Sequence, residues 1–346
     1  MDDVSIDRAR KPTLEEFHAA MKKAGVGALW EAQAAAEANP RPKDRAQHWR
    51  WHDLQTLIDM TASVVTTEEA ERRVLMLQNP AHAVGSMGGT ATPNLTANLQ
   101  ILLRGERARP HRHTIHALRF VMEGTGATTF VDGKRCPMEP GDMILTPAWT
   151  WHEHVHEGKE RMIWFDGLDA PLRRHMNAAD FEPGPVHDLP PMAPDAAFDA
   201  IGLVPGGAAT PAADYSPVFR YPWSSASKAL AATPAAEDGV RTLRYVNPLT
   251  GGSAMSLIDC FLMALPTTAS RARRSTANTV CVVAEGSGRS TIGETTIAWE
   301  KNDVFTIPHG TWVSHSAATK DAVLFAMTDR DLMARLGLLR DEVRNT

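Results

Sequence analysis

The chain carries one stretch twice. "FVMEGTGATTFVDGKRCPMEPGDMILTPAWTWHEH" at 120–154 is matched by "CVVAEGSGRSTIGETTIAWEKNDVFTIPHGTWVSH" at 281–315. Both contain Glu-Gly-x-Gly, at 123–126 and 285–288. In each, an aspartate lies five residues before a proline (Asp142 and Pro147, Asp303 and Pro308), and a tryptophan lies four beyond it (Trp151, Trp312). A repeat of this length means one supersecondary unit built twice. Short apolar runs alternate with turn residues inside it, and Asp132-Gly133 offers the positive φ angles of a tight hairpin. The expectation is a mainly β chain holding the same small β domain twice.

The first 80 residues read differently. In "PTLEEFHAAMKKAGVGALWEA" Thr13 is an N-cap with Glu16 three residues on, a capping box. "HWRWHDLQTLIDMTASV" is a second helix, with Trp51, Leu54, Leu57 and Ile58 near one face. "TTEEAERR" is a third, leading into a strand, "VLMLQNP". Residues 183–223 are rich in Pro, Ala and Gly and read as a linker laid over the surface. The organisation expected is a helical arm leading into a first strand (1–80), a first β domain (81–182), the linker (183–223) and a second, degenerate β domain (224–346).

Composition narrows the function. A net charge of −5 argues against a nucleic-acid protein. The one basic cluster, Arg271, Arg273 and Arg274, reads as a solvated loop. Three cysteines without a C-x-x-C pair do not make a disulfide scaffold. The N-terminus is too charged for a signal peptide, and no apolar run is long enough to span a membrane. The setting expected is the cytoplasm.

The first copy concentrates histidines. Gly105 is followed by five residues and then His111-x-His113; Gly141 is followed by five residues, then Pro147, and further on His152. Alternate strand residues share a face and neighbouring strands lie about 5 Å apart, so two histidines on one strand and a third from the next can meet at one metal ion. Three neutral imidazoles without a carboxylate leave open positions, the arrangement of non-haem Fe(II) sites; zinc with three histidines and water is the rival. In the second copy the matching positions fall near Arg273 and Ser275 and at Val313, so one metal per chain is expected. Arg119 shares parity with His111 and His113. A buried guanidinium needs a partner, either a substrate carboxylate or Glu123 or Asp166. His154 is an acid–base candidate or a core histidine; His315 in the second copy favours the core reading. His116, of opposite parity, is expected outside.

Glycine, histidine and proline at this spacing resemble the two motifs of the cupin family, with Ala117 and Leu118 where the family's first motif usually has a glutamate. "HRHTIHALRFVMEG" with "GDMILTPAWTWHEH" resembles, more narrowly, the bicupin ring-cleaving dioxygenases. These are the gentisate 1,2-dioxygenases and their salicylate and 1-hydroxy-2-naphthoate relatives. The resemblance extends over the arm, "ERRVLMLQNP" at 71–80 and both β domains. It implies two cupin β-barrels (double-stranded β-helices) behind an N-terminal helical arm, Fe(II) on His111, His113 and His152, and a homotetramer or dimer. The reaction implied opens a 2-hydroxybenzoate ring with O2 between the carboxyl- and hydroxyl-bearing carbons. Gln100, Arg119, His154, Trp164 and Asp166 would line or support the pocket, with Arg72 or Arg73 reaching it from the arm.

Where gentisate enzymes tend to show Trp-Ala-Gly-Leu-Gln, this chain reads Thr96-Ala97-Asn98-Leu99-Gln100. Thr96 and Asn98 share parity with Gln100 and would face the ring. That favours gentisate or another salicylate with a polar 5-substituent, such as 5-nitrosalicylate. Salicylate and 1-hydroxy-2-naphthoate are the alternative substrates. A different metal-dependent cupin enzyme, such as an isomerase, and a non-enzymatic storage bicupin are the other readings.

Overall fold

The computed structural model describes residues 13–38, 44–66, 70, 72–82, 89–187, 189, 192–200, 203–206 and 214–344. Two compact units divide the chain, at residues 1–43 and 44–346. In the first, helices Leu14–Ala24 and Leu29–Ala38 form a short pair. The capping box is present: Glu16 N donates to Thr13 Oγ1 (3.2 Å) and Thr13 N to Glu16 Oε2 (2.7 Å). The helix stops at Gly25 in the left-handed region, and His18 meets Glu31 across the turn at 2.7 Å.

The second unit holds two barrels with the same strand plan. In the first, a six-stranded sheet runs Arg220–Tyr221, Met143–Thr146, Ala117–Glu123, Met162–Leu168, Thr96–Leu102, Arg73–Met76. It faces a five-stranded sheet, Phe181–Pro183, Arg107–His113, His152–His156, Ala127–Val131, Lys134–Met138. The second barrel repeats this. Its six-stranded sheet runs His48–Trp49, Val304–Ile307, Thr279–Glu285, Val323–Thr328, Asp259–Ala264, Arg241–Arg244. Its five-stranded sheet runs Asp341–Val343, Arg273–Ser275, Val313–Ala317, Ser287–Ile292, Thr295–Glu300. The repeat seen in the sequence is therefore a repeat of strand order, mainly β and bicupin. No helix among the described residues is long and apolar enough to cross a membrane.

The edge strands show what the repeated aspartates do. His48–Trp49, from the segment expected to open the second helix, pairs with Phe305 and Val304 of the second barrel. Arg220–Tyr221, from the expected linker, pairs with Ile144 and Met143 of the first. Each begins a helix whose first N–H reaches a repeat aspartate: Trp51 N to Asp303 Oδ1 at 2.6 Å, Trp223 N to Asp142 Oδ1 at 2.8 Å. A carboxylate satisfies orphan helix N–H groups and matches the positive end of the dipole. Elsewhere in the linker, Asp195 accepts from Lys134 Nζ (2.9 Å) and from the amides of Phe219 (3.1 Å) and Arg220 (2.9 Å), which fastens it to the first barrel.

On helix Trp51–Val64 the buried stripe is Trp51, Leu54 and Ile58. Leu57, expected on that face, is exposed, because it lies one position off the stripe. The helix expected at "TTEEAERR" lies largely outside the described residues. Between the barrels Phe120 stacks on Phe325 with ring centroids 4.3 Å apart. Gly167 lets the sheets approach there: a Cβ on it would lie 2.1 Å from Met327 Sδ.

Candidate active site

His111 and His113 end the strand Arg107–His113, and His152 begins the neighbouring strand, directly paired with His111. Their ligating nitrogens lie within 4.8 Å of one another. In each ring Nδ1 donates to a backbone carbonyl two residues away: His111 to Arg109 (2.9 Å), His113 to Ile115 (2.7 Å), His152 to Thr150 (3.0 Å). That fixes the tautomer and leaves three Nε2 lone pairs for the centre. Burial, with Arg72 next in weight, lowers the His111 pKa to about 3, and burial lowers that of His113 to about 4. Burial also holds His152 well below the ordinary value. The cluster is neutral at physiological pH, the state a metal needs. His152 Nε2 is buried without a hydrogen-bond partner, an orphan that a metal would satisfy. The three residues fit a metal ion.

Arg119 does not share a strand with the histidines. The chain bends at Thr114–Ile115 and re-enters at Ala117 in the six-stranded sheet. His116, expected outside, is buried in this corner: its amide donates to Asp169 Oδ1 (2.8 Å) and its Nδ1 accepts from Ala148 N (3.0 Å). Parity does not carry through a bend. Arg119 still faces the interior, donating to Thr146 Oγ1 and lying 3.4 Å from Asp166 Oδ1. Burial lowers its pKa and raises that of Asp166, each opposed by the other's charge. Glu123 pairs instead with Arg161.

Cross-strand register builds the rest. Asn98, Asp166 and Arg119 are neighbours on three adjacent strands, and Gln100 faces Trp164. Cross-strand neighbours share a face. Trp164 Nε1 donates to Asp166 Oδ1 at 3.0 Å, and its ring lies 5.1 Å from that of His154. His154 Nδ1 contacts Thr129 Oγ1 at 2.8 Å, while Nε2 is unpartnered. Thr96 Oγ1, Asn98 Oδ1 and Gln100 Nε2 are also buried without partners. Three such atoms at alternate positions of one strand are a row of unmet hydrogen bonds.

Of the two arm arginines, Arg72 reaches the cluster, with Nη1 2.8 Å from His111 Nε2. Arg73 turns away to Glu106 (2.5 Å) and the Val65 carbonyl (2.5 Å). Sequence reasoning missed Thr146, Thr129 and Phe181. Phe181, on a strand paired to His113, stacks its ring 5.4 Å from His111. Thr146 could have been found from its place before Pro147; the other two carried no signal.

Comparison with known proteins decides the family. Residues 98–168 match the cupin domain model. The chain is 35% identical over 341 residues to a gentisate 1,2-dioxygenase of Aquipseudomonas alcaligenes, covering 94% of this chain and 95% of that one. The chain belongs to the gentisate 1,2-dioxygenase family. It is a ring-cleaving oxidoreductase of the bicupin class. A 5-aminosalicylate 1,2-dioxygenase of a Comamonas species is 34% identical over 340 residues, covering 95% of this chain and 90% of that one. The crystal structure of salicylate 1,2-dioxygenase from Pseudoaminobacter salicylatoxidans as an adduct with gentisate superimposes with a TM-score of 0.86 at 29% identity, covering 100% of this chain and 99% of that one.

Proposed function

We propose that this dioxygenase uses Fe(II) on His111, His113 and His152 to open a 2-hydroxybenzoate carrying a polar 5-substituent, between the carboxyl- and hydroxyl-bearing carbons. The observation that carries it is the three-imidazole centre, tautomerically fixed and without a carboxylate, beside two arginines. When bound, Fe(II) supplies the electron transfer through which dioxygen reacts with the ring. A salicylate's carboxylate and ortho-hydroxyl offset the 2+ charge that neutral imidazoles leave uncompensated.

The protein's own groups orient the substrate. Arg72 cannot keep its bond to His111 Nε2 when that lone pair ligates a metal, so its guanidinium is free to take a carboxylate. Arg119 holds a buried positive charge only partly matched by Asp166, steadied by Thr146. His154 Nε2 offers a neutral hydrogen-bonding nitrogen, since burial keeps its pKa low. Trp164 supplies an aromatic wall.

Thr96, Asn98 and Gln100 support the substituent. An amide presents either a donor or an acceptor, so hydroxyl, amino and nitro groups can each pair with Asn98. The 5-aminosalicylate relative agrees with a polar group at that ring position. Three free, buried thiols fit a reducing cytoplasm, and a homodimer or homotetramer remains the assembly proposed.

The test is oxygen uptake by protein loaded with Fe(II), Zn(II) or Mn(II), against gentisate, 5-aminosalicylate, 5-nitrosalicylate, salicylate and 1-hydroxy-2-naphthoate. Uptake with Fe(II) and the 5-substituted salicylates is expected. Uptake with zinc alone, or with none of these acids, overturns the proposal.

A further inference from the structure

The second barrel has lost the metal set but not the space. At positions equivalent by register, Arg273 stands for His111, Ser275 for His113 and Val313 for His152. The substrate row changes too: Phe261 stands for Asn98, Met263 for Gln100, Ala326 for Asp166 and Cys281 for Arg119. A cavity of about 420 Å³ opens among them, lined by Phe261, Met263, Ile307, Val313, His315 and Ala326 among others. That is the size of ordinary small-molecule pockets.

Its charge is balanced. Of the lining arginines, Arg273 pairs with Asp238 (2.9 Å), Arg274 with Glu342 (2.7 Å) and Arg330 with Asp341 (2.5 Å). No uncommitted cation among them seeks an anion.

One polar group is aimed by its partners. Trp299 Nε1 can only donate, and it donates to Ser290 Oγ at 2.8 Å. Ser290 is fully buried, and among the described residues His315 Nδ1, 2.7 Å away, is the acceptor within reach of its hydroxyl hydrogen, so the hydroxyl donates and Nδ1 accepts. With Nδ1 accepting, the neutral ring carries its proton on Nε2, for which no described residue supplies a partner.

We infer that the second barrel binds an uncharged, largely apolar molecule the size of one or two rings, whose oxygen accepts a hydrogen bond from His315 Nε2–H. The site stands apart from the ring-cleaving centre and does not depend on which acid that centre takes. It is a ligand-binding site, with no reaction assigned to it.

2-Naphthol and its anionic counterpart 2-naphthoate, titrated by calorimetry into the full chain, test this. 2-Naphthol is expected to bind once per chain in the second barrel, unaffected by His152→Ala. Val313→Phe, which fills the cavity, should weaken it by about tenfold or more. Ala326→Leu, on another strand, gives the same test if Val313→Phe does not fold. A crystal soaked with 2-naphthol should show it against His315. No binding up to about 1 mM, or binding lost in His152→Ala but kept in both cavity-filling variants, overturns the site. Equal affinity for 2-naphthoate at the Val313-sensitive site overturns the uncharged class.

Discussion

Asn98→Gly separates substrate choice from everything else at the site. Asn98 stands beside Asp166 in the row that includes Arg119, and its Oδ1 is buried without a partner. A substrate with a hydroxyl or amino group at ring position 5 pairs with it; salicylate leaves it unpaired. A buried polar group left unmet costs about 1–3 kcal/mol, which is roughly 5- to 150-fold in kcat/KM. The wild type should therefore prefer gentisate or 5-aminosalicylate over salicylate by about that range. Glycine removes the group and should shrink the preference toward unity, by relieving the penalty on salicylate and by taking the partner from the substituted acids. Glycine also destabilises a strand by roughly 0.5–1 kcal/mol, but that is common to all substrates and leaves their ratio untouched. Steady-state oxygen uptake on each acid, in both proteins, measures the ratio. If salicylate is the best wild-type substrate, or the ratio survives Asn98→Gly within about twofold, the reasoning fails.

His152→Ala should lose most bound metal and ring cleavage, and wild type should hold one ion per chain by metal analysis; full occupancy in the variant contradicts the ligand set. Arg72→Ala should raise KM for the acid with little change in stability. Arg73→Ala, which takes the buried guanidinium from Glu106 and from the Val65 carbonyl, should destabilise by about 3 kcal/mol in urea titration, and a reversal of the two effects would refute the division of roles. Arg119→Lys should keep its metal yet recover little turnover, because an ammonium cannot bond Thr146 and meet Asp166 in one plane; near-normal kcat/KM would defeat this. His315, pushed to about 4 chiefly by burial, takes up its proton more readily unfolded than folded. Its contribution is whole above the unfolded pKa near 6.5 and is lost as pH falls toward 4, so wild type should lose about 2 kcal/mol more than His315→Gln between pH 7 and pH 5.

The repeat, the hairpin at Asp132-Gly133 and the three histidines were legible because each rests on short-range rules: spacing, turn chemistry and strand alternation. Strand alternation relates Arg119 to the histidines only within one strand, whereas it reaches the interior from the opposite sheet. His116 is buried against its parity for the same reason, since the bend at Thr114–Ile115 resets the alternation. The choice between Arg72 and Arg73 depends on where a four-residue strand begins, and no periodicity sets that. The edge strands His48–Trp49 and Arg220–Tyr221 are two residues each, too short for any pattern, and exist because Asp303 and Asp142 draw the following helices to the barrels.

Having two barrels in one chain allows fold and chemistry to be told apart residue by residue. His315 keeps a hydroxyl on Nδ1, as His154 does, though Arg273, Ser275 and Val313 hold no metal set around it. The hydroxyl–imidazole contact therefore belongs to the frame: it seats a strand residue against its neighbour in either barrel. What differs is the surroundings of Nε2. In the first barrel it lies among Trp164, His152 and the charge of Arg119; in the second it borders an apolar cavity. A role for His154 in ring cleavage then has to be carried by Nε2 alone. Thr129→Val removes the Nδ1 partner and leaves Nε2 in place, so it should cost stability in urea titration more than turnover, whereas His154→Phe removes both nitrogens and should cost turnover as well; equal loss of turnover in the two variants would refute the role of Nε2.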